Sequence, residues 1–364
     1  MDPALRQIAQ RIRDAAADAT PLAIRGGGTK DFYGEAPQGE PLSTRELSGI
    51  TSYEPSELVV TVRAGTPLAE LETLLAQHGQ CLPFEPPRFA PGGTVGGMVA
   101  AGLSGPARAS VGAVRDYVLG AELVNGRGEV LRFGGTVMKN VAGYDVSRVL
   151  AGSLGVLGLV SEVSLKVLPV APAEATLAFD CSQADALRLL NEWGGRPLPL
   201  NASMWCDGRL LLRLRGAAAA VEAACIHLGG ERQHAAAAGW EALRDQTHPW
   251  FAARGTDELW RFSLPQTAAA LALDGAPLVE WHGGQRWYRV APGQAEGLRA
   301  AARAAGGSAT LFMAPPADGA GAFARSVPKF DALSAPLARI HEKLLREFDP
   351  HGIFQRGRLL PVGR

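Results

Sequence analysis

The stretch Ile24-Arg-Gly-Gly-Gly-Thr-Lys-Asp-Phe-Tyr-Gly34, IRGGGTKDFYG, sets three glycines in a row after the short apolar approach PLAI and follows them with a threonine and a lysine. Glycine reaches positive φ without a side-chain penalty and lets another group approach the backbone, but it costs roughly 0.5–1 kcal/mol where it merely fills a regular element. A tight turn needs one or two glycines. Two readings stand: a turn leaving a short strand, or a nest of exposed amide N–H groups around an anion such as a phosphate. The phosphate ligand is narrowed by what the stretch lacks. A P-loop needs Gly-Lys-Ser/Thr, whereas Lys30 follows Thr29 and precedes Asp31. A dinucleotide fingerprint counted from Gly26 needs a glycine where Asp31 stands. Neither a nucleoside triphosphate nor a conventional nicotinamide site is expected here.

The rest of the chain bounds the answer. At 364 residues it is long enough for about two domains, each with its own core. An apolar share of 47% and a charged share of 20% are those of a soluble globular chain. With 36 basic and 36 acidic residues the formal net charge is zero, so no overall field draws in nucleic acid or an anionic membrane, and an anion site must be built locally. The opening MDPALRQIAQRIRDAAADAT has no apolar core of a secretory signal. No window reaches roughly 18 consecutive apolar residues, so no spanning helix and a cytoplasmic location are expected. Cys81, Cys181, Cys206 and Cys225 form no Cys-x-x-Cys pair. They read as reduced, buried apolar residues rather than zinc or iron–sulfur ligands.

Glycine organises the first 160 residues. After the first cluster, Leu58, Val59, Val60 and Val62 read as a buried strand. TPLAELETLLAQHG reads as an amphipathic helix with Thr66 at its N-cap, Pro67 at N1 and Gly79 as C-cap. A second cluster, Pro91-Gly-Gly-Thr-Val-Gly-Gly97, opens into small residues as a loop entering a helix would. LGAELVNGRGEVLRFGG reads as paired strands around an NGRG turn. A third cluster, with Gly152, Gly155 and Gly158, precedes a strand of alternating Val and Leu. Three clusters separated by such units point to one continuous site. Past Pro169 the chain turns alanine-rich and alternates helical AAAAVEAACIHLGG with strand-like LLLRLRG and QRWYRV, which reads as a second α+β domain. An amphipathic helix from Ala335 to about Phe348 and a tail close the sequence, and no internal repeat is visible.

The motifs RGGGTKDFYG, PGGTVGGMVAAG, VRDYVLGAELVNGRGEVLRFGGTVMKNVAGYDVSRVLAGSLGVLG and FDPHGIF, in this order, resemble the FAD-binding type of the vanillyl-alcohol oxidase and p-cresol methylhydroxylase (PCMH) superfamily. The set looks most like the cofactor-binding subunits of bacterial glycolate oxidases. The resemblance runs over most of the chain and is strongest from Ile24 to Pro169. It implies an α+β protein with a PCMH-type FAD-binding domain of two α/β subdomains over 1–170, a cap-like α+β domain over 171–330, and a C-terminal helix and tail, 331–364, returning to the first. Arg25, Gly26, Gly27, Gly28, Thr29 and Lys30 would meet the pyrophosphate. Pro91, Gly92, Gly93, Thr94, Val95 and Gly97 would complete the cradle and begin the flavin wall. Gly152, Ser153, Gly155, Gly158 and Val160 would line the ribityl and adenine end. Covalently flavinylated relatives can carry a histidine in or near the first loop, where this chain has Thr29 and Lys30, so non-covalent FAD is expected.

Oxidation of an α-hydroxy acid needs a base for the hydroxyl proton and cations for the carboxylate. The catalytic members of the superfamily carry a dense His-x-Gly-Asp-Gly-Asn-x-His segment, and the nearest counterpart here is VEWHGGQRWYRV. His282 and Arg286 within it, and Lys139 in MKNVAGYD, are the candidate catalytic residues; the first two also read as strand and turn residues. Arg115 with Asp116 reads as an ion pair, and Asp145 with Arg148 as a loop pin. Trp240, Trp250, Phe251 and Trp260 read either as core or as aromatic anchors for a partner. Gln355 and Arg356 stand where an Asn-Pro is expected after GIF, which leaves the docking of the tail open. The resemblance implies a subunit that assembles with a catalytic FAD subunit and an iron–sulfur subunit to oxidise glycolate, peripheral to the inner membrane through those partners. A self-sufficient D-2-hydroxyacid dehydrogenase and a scaffold that binds no FAD are the alternatives.

Overall fold

Val59, Val60 and Val62, with exposures of 6%, 0% and 0%, are buried on both faces of their strand, which places it inside a sheet. The computed structural model describes residues 2–136, 145–315 and 327–359. Two units emerge: 1–103 with 113–169 and 332–364, and 104–112 with 170–331.

In the first unit, Asp2 caps α1 (Pro3–Asp18) by accepting the amides of Ala4 and Leu5. Leu5, Ile8, Ile12 and Ala15 make its buried stripe. β1 (Leu22–Arg25) runs parallel to β2 (Glu40–Ser43). Then follow β3 (Ile50–Glu54), β4 (Val59–Arg63), α2 (Leu68–Gln77), β5 (Gln80–Cys81), α3 (Val95–Ala101) and α4 (Arg108–Val111), the last within the second unit. α5 (Val114–Tyr117), β6 (Val118–Val124), β7 (Val130–Gly134), α6 (Val146–Leu150), β8 (Leu159–Lys166) and β9 (Leu168–Pro169) complete this stretch. The main sheet has the order β3-β4-β8-β6-β7, antiparallel throughout. α2 lays Leu68, Leu71 and Leu75 against it, each side chain worth roughly 1.5–3 kcal/mol of burial.

Some local expectations shift. The N-cap of α2 is Pro67, not Thr66, whose hydroxyl instead both accepts from Gly49 N and donates to Gly49 O. His78 is the C-cap, with Gly79 left-handed beyond it. The hairpin between β6 and β7 holds as expected: Asn125 Oδ1 accepts the amides of Arg127 and Glu129. Asp116 accepts from Ala113 N rather than pairing with Arg115. Asp145 does pin its loop, with Arg148 Nε 2.8 Å away.

The second unit contains a topological repeat that its residues do not advertise. β10 (Ala173–Asp180), α7 (Gln183–Gly194), β11 (Leu200–Cys206), β12 (Arg209–Gly216), α8 (Ala218–Leu228) and β13 (Glu231–Arg232) give the order β13-β10-β12-β11. After α9 (Ala237–Arg244) and α10 (Pro249–Ala252), a second set follows: β14 (Glu258–Ser263), β15 (Leu278–Glu280), β16 (Gln285–Val290), α11 (Ala295–Ala304) and β17 (Ser308–Met313). Its order is β15-β16-β14-β17, so each half places its fourth strand beside its first and its third between first and second, as in ferredoxin-like βαββαβ units. β11 and β15 pair antiparallel and fuse the halves into one sheet of eight strands. Trp240, Trp250, Phe251 and Trp260 are all at most 6% exposed, so that stretch is core.

The chain returns to the first unit through α12 (Ala335–Phe348). The tail docks despite Gln355 and Arg356. Asp349, fully buried, accepts the amides of Ile353 and Phe354, and Leu22 N donates to Ile353 O at 2.7 Å.

Candidate functional site

The three glycine clusters meet in the first unit. A Cβ on Gly26 would stand 2.2 Å from Thr94 Oγ1, so the first loop lies directly against the second. The second leads into α3, whose Val99 and Ala100 carbonyls accept from Gly152 N at 3.0 Å and Leu154 N at 2.9 Å in the third. The third returns to the first where Gly155 faces Ile24 and Leu154 faces Gly34. A cavity of about 260 Å³ results, lined by residues from all three loops and by Arg358 of the tail.

The glycines do not all serve the same end. Gly26 and Gly27 are bare because the second loop occupies the space of their side chains. Gly28 is left-handed at φ +75°. Gly92 and Gly152, at φ +87° and +86°, have open space where a Cβ would go. The Gly158 Cβ direction meets Val124 O, which makes it a packing glycine.

Of the residues singled out from the sequence, Arg25, Gly26, Gly27, Gly28, Thr29, Lys30, Thr94 and Gly97 line this cavity. Gly152 and Ser153 line a second one, of about 440 Å³, with Arg115, Arg148, His341 and Leu344. Pro91, Gly92, Gly93, Val95, Gly155, Gly158 and Val160 line neither cavity. Val95, Gly96 and Gly97 donate their amides to Thr66 O, Ala64 O and Thr94 Oγ1, so the start of α3 is already satisfied by protein. By contrast, among the described residues the amides of Gly27, Gly28 and Thr29 donate to no protein acceptor. Ala100, Ala101, Leu154 and Arg358 also line the cavity and were not expected. The first two fall three and four residues beyond Gly97 on one helix face.

Charge concentrates here. The lining holds Arg25, Lys30 and Arg358 against one carboxylate, Asp31, in a chain of zero net charge. Arg25 pairs with Asp31 at 2.7 Å. Lys30 is 8% exposed, with Nζ 5.8 Å from the Phe89 ring centre, and Phe89 stands edge-on to Phe32. Free amides and surplus cations fit a pyrophosphate of about two negative charges.

The catalytic candidates fare differently. His282, 9% exposed, is held by Ser203: its own N donates to Ser203 Oγ at 2.9 Å, and Nδ1 is 3.0 Å from the same oxygen. Nε2 lies 3.0 Å from Ser110 Oγ, so in either tautomer a serine hydroxyl engages each ring nitrogen. Burial pulls the imidazole pKa down to about 4. Neither nitrogen offers a lone pair to a substrate hydroxyl. Arg286 is fully buried and donates to the carbonyls of Gly283, Ala268 and Ala269. Its fork is engaged by backbone, not presented to a carboxylate. Lys139 lies outside the described residues.

The sequence carries the mark of a flavoprotein: a family profile described as an FAD binding domain matches residues 5–134. Over 350 residues the chain is 44% identical to glycolate oxidase subunit GlcE of Escherichia coli, covering 96% of this chain and 95% of that one. It belongs to the glycolate oxidase subunit GlcE family of FAD-dependent oxidoreductases. It is also 32% identical over 168 residues to glycolate oxidase subunit GlcD of Bacillus subtilis, covering 46% of this chain and 36% of that protein. With a D-lactate dehydrogenase of Archaeoglobus fulgidus it shares 29% identity over 197 residues, 53% of this chain and 44% of the relative. Among solved structures, an alkyldihydroxyacetonephosphate synthase matches 95% of this chain and 74% of its own at a TM-score of 0.63 and 14% identity, a likeness of fold. Among the described residues no helix is long and apolar enough to cross a membrane.

Proposed function

We propose that this chain is the FAD-holding subunit of a multi-subunit enzyme that oxidises glycolate to glyoxylate and passes electrons toward the respiratory chain. The observation that carries the reading is the cavity where three glycine loops meet, with unpartnered amides and three cations against one carboxylate. Gly27, Gly28 and Thr29 present N–H donors to the pyrophosphate, and Lys30 and Arg358 supply charge. FAD bound there provides a two-electron acceptor. The cavity residues hold and orient, and in the second unit His282 offers no proton acceptor and Arg286 no carboxylate clamp. The base and the substrate cations therefore belong to a catalytic FAD subunit, and onward transfer to an iron–sulfur subunit. The chain works in the cytoplasm and meets the inner membrane through those partners.

The test is the visible spectrum of the chain purified alone, before and after anaerobic glycolate. A flavin band that persists supports the subunit reading. Bleaching by glycolate would make the chain a dehydrogenase in its own right, and a folded chain that stays colourless after FAD addition would make it a scaffold.

A further inference from the structure

Residues 353–358 do more than extend a sheet. Their backbone runs beside β1 through the pairing of Phe354 with Leu22, and Gln355 Nε2 donates to Ile24 O at 3.3 Å. The run ends on Arg358, 8% exposed, whose guanidinium donates to Lys30 O at 3.3 Å, Tyr33 O at 3.0 Å and Glu35 O at 3.3 Å. Its own carbonyl accepts from Glu35 N at 3.0 Å, and Gly34 lies so close that a Cβ there would stand 2.9 Å from that oxygen. The second half of the first glycine loop is thus clasped by the main chain and the side chain of one residue. Arg358 also lines the cavity.

We propose that Arg358 is a cofactor-positioning residue: it fixes the loop of Gly26 to Glu35 through three carbonyls and brings a desolvated positive charge to the phosphate end of the cavity. This rests on reading that cavity as the pyrophosphate site. Three carbonyl oxygens drawn toward Arg358 are three negative dipole ends turned away from an incoming anion. A planar fork reaches several acceptors at once, which a lysine ammonium at that depth does not. A guanidinium removed from water also acts on a nearby phosphate through a lower effective dielectric than an exposed one. Arg25 is more than half exposed on its side chain and pairs with Asp31, so the buried charge falls to Lys30 and Arg358.

The experiment is an FAD titration of the full chain stripped of flavin, followed by flavin fluorescence quenching, with the melting temperature of each stripped variant as a check of folding. Arg358→Met is expected to weaken FAD binding by about 30-fold or more, the size of losing one buried charge partner. Arg358→Lys is expected to lose only about tenfold, because the charge stays and the fork goes. An Arg358→Met affinity within about threefold of the parent overturns the proposal. So does an Arg358→Lys affinity no better than that of Arg358→Met, which leaves Arg358 a structural clasp whose charge plays no part. If Arg358→Met does not fold, Arg358→Lys decides: an affinity equal to the parent's overturns the proposal. A parent chain that binds no FAD refutes the reading of the cavity instead.

Discussion

A Cβ on Gly27 would lie 1.8 Å from the carbonyl oxygen of Gly92, so the first two glycine loops touch backbone to backbone. Neither backbone has a flexible side chain to yield. Gly27→Ala is expected to cost about 2–4 kcal/mol of stability and to leave the purified chain without flavin. Gly92→Ala meets open space and pays only for its left-handed φ, about 1 kcal/mol. Thermal melts and flavin content of the two variants check the contrast. Equal behaviour would remove the loop contact as the reason for the bare backbone.

His282 makes the second unit sensitive to acid. Its folded pKa of about 4 lies below the ordinary 6.5, so the unfolded chain binds more protons between those values. Stability from this group is complete above about pH 6.5 and declines as the pH falls toward 4, by roughly 3 kcal/mol in all. Urea midpoints at pH 7 and pH 4.5 should differ less in His282→Gln than in the parent. An unchanged difference would mean that another group titrates.

Arg286 is expected to behave as a structural residue. Removing its guanidinium leaves the carbonyls of Gly283, Ala268 and Ala269 buried without a donor. Arg286→Ala should cost about 3–5 kcal/mol, while the KM for glycolate of the assembled enzyme, measured below the variant's melting temperature, stays at the parent value. A large rise in KM in a stably folded variant would return Arg286 to the substrate.

Asp349 ties the tail to the end of α12. Both carboxylate oxygens accept amides, from Ile353 at 3.1 Å and Phe354 at 2.9 Å, with the residue fully buried. Asp349→Asn loses the charge of these bonds and turns a side-chain amide NH2, a donor, toward one of the two N–H groups, at a cost of about 1.5–3 kcal/mol. Limited proteolysis should then cut the tail sooner in the stripped chain, and FAD should protect it. Unchanged proteolysis would show that the strap is held elsewhere.

The sequence disclosed the parts of the cofactor site that depend on local chemistry. Gly26 to Lys30 stand out because no ordinary turn uses three consecutive glycines, and five of them line the cavity. The strand at Val59 to Val62, the Asn125 hairpin and the helix from Ala335 to Phe348 follow from short-range patterns. What stayed hidden depends on distant partners. Thr66 looks like a helix cap until Gly49 is seen to occupy its hydroxyl. Val95 looks like a phosphate donor until Thr66 O is found at 2.9 Å. Arg358 is an unremarked arginine in a tail until more than three hundred residues of chain bring it back to Lys30. The doubled strand order of the second unit is carried by topology, with a helix between the first two strands in one half and coil at 264–277 in the other.

The pairing of Leu22 with Phe354 sets a timetable for maturation. During synthesis the amino-terminal part of a chain emerges first and begins to fold while the rest is still being made. The strand that carries the first glycine loop nevertheless waits for a neighbour encoded more than three hundred residues later. Until translation has passed residue 358, the loop has its glycines but not its clasp, and α1 and β2 must wait beside a sheet edge that is still open. On the role proposed for Arg358, flavin loading follows delivery of residue 358 by the ribosome, and a nascent chain stalled before that point is expected to be a colourless intermediate with an exposed strand for chaperones to guard.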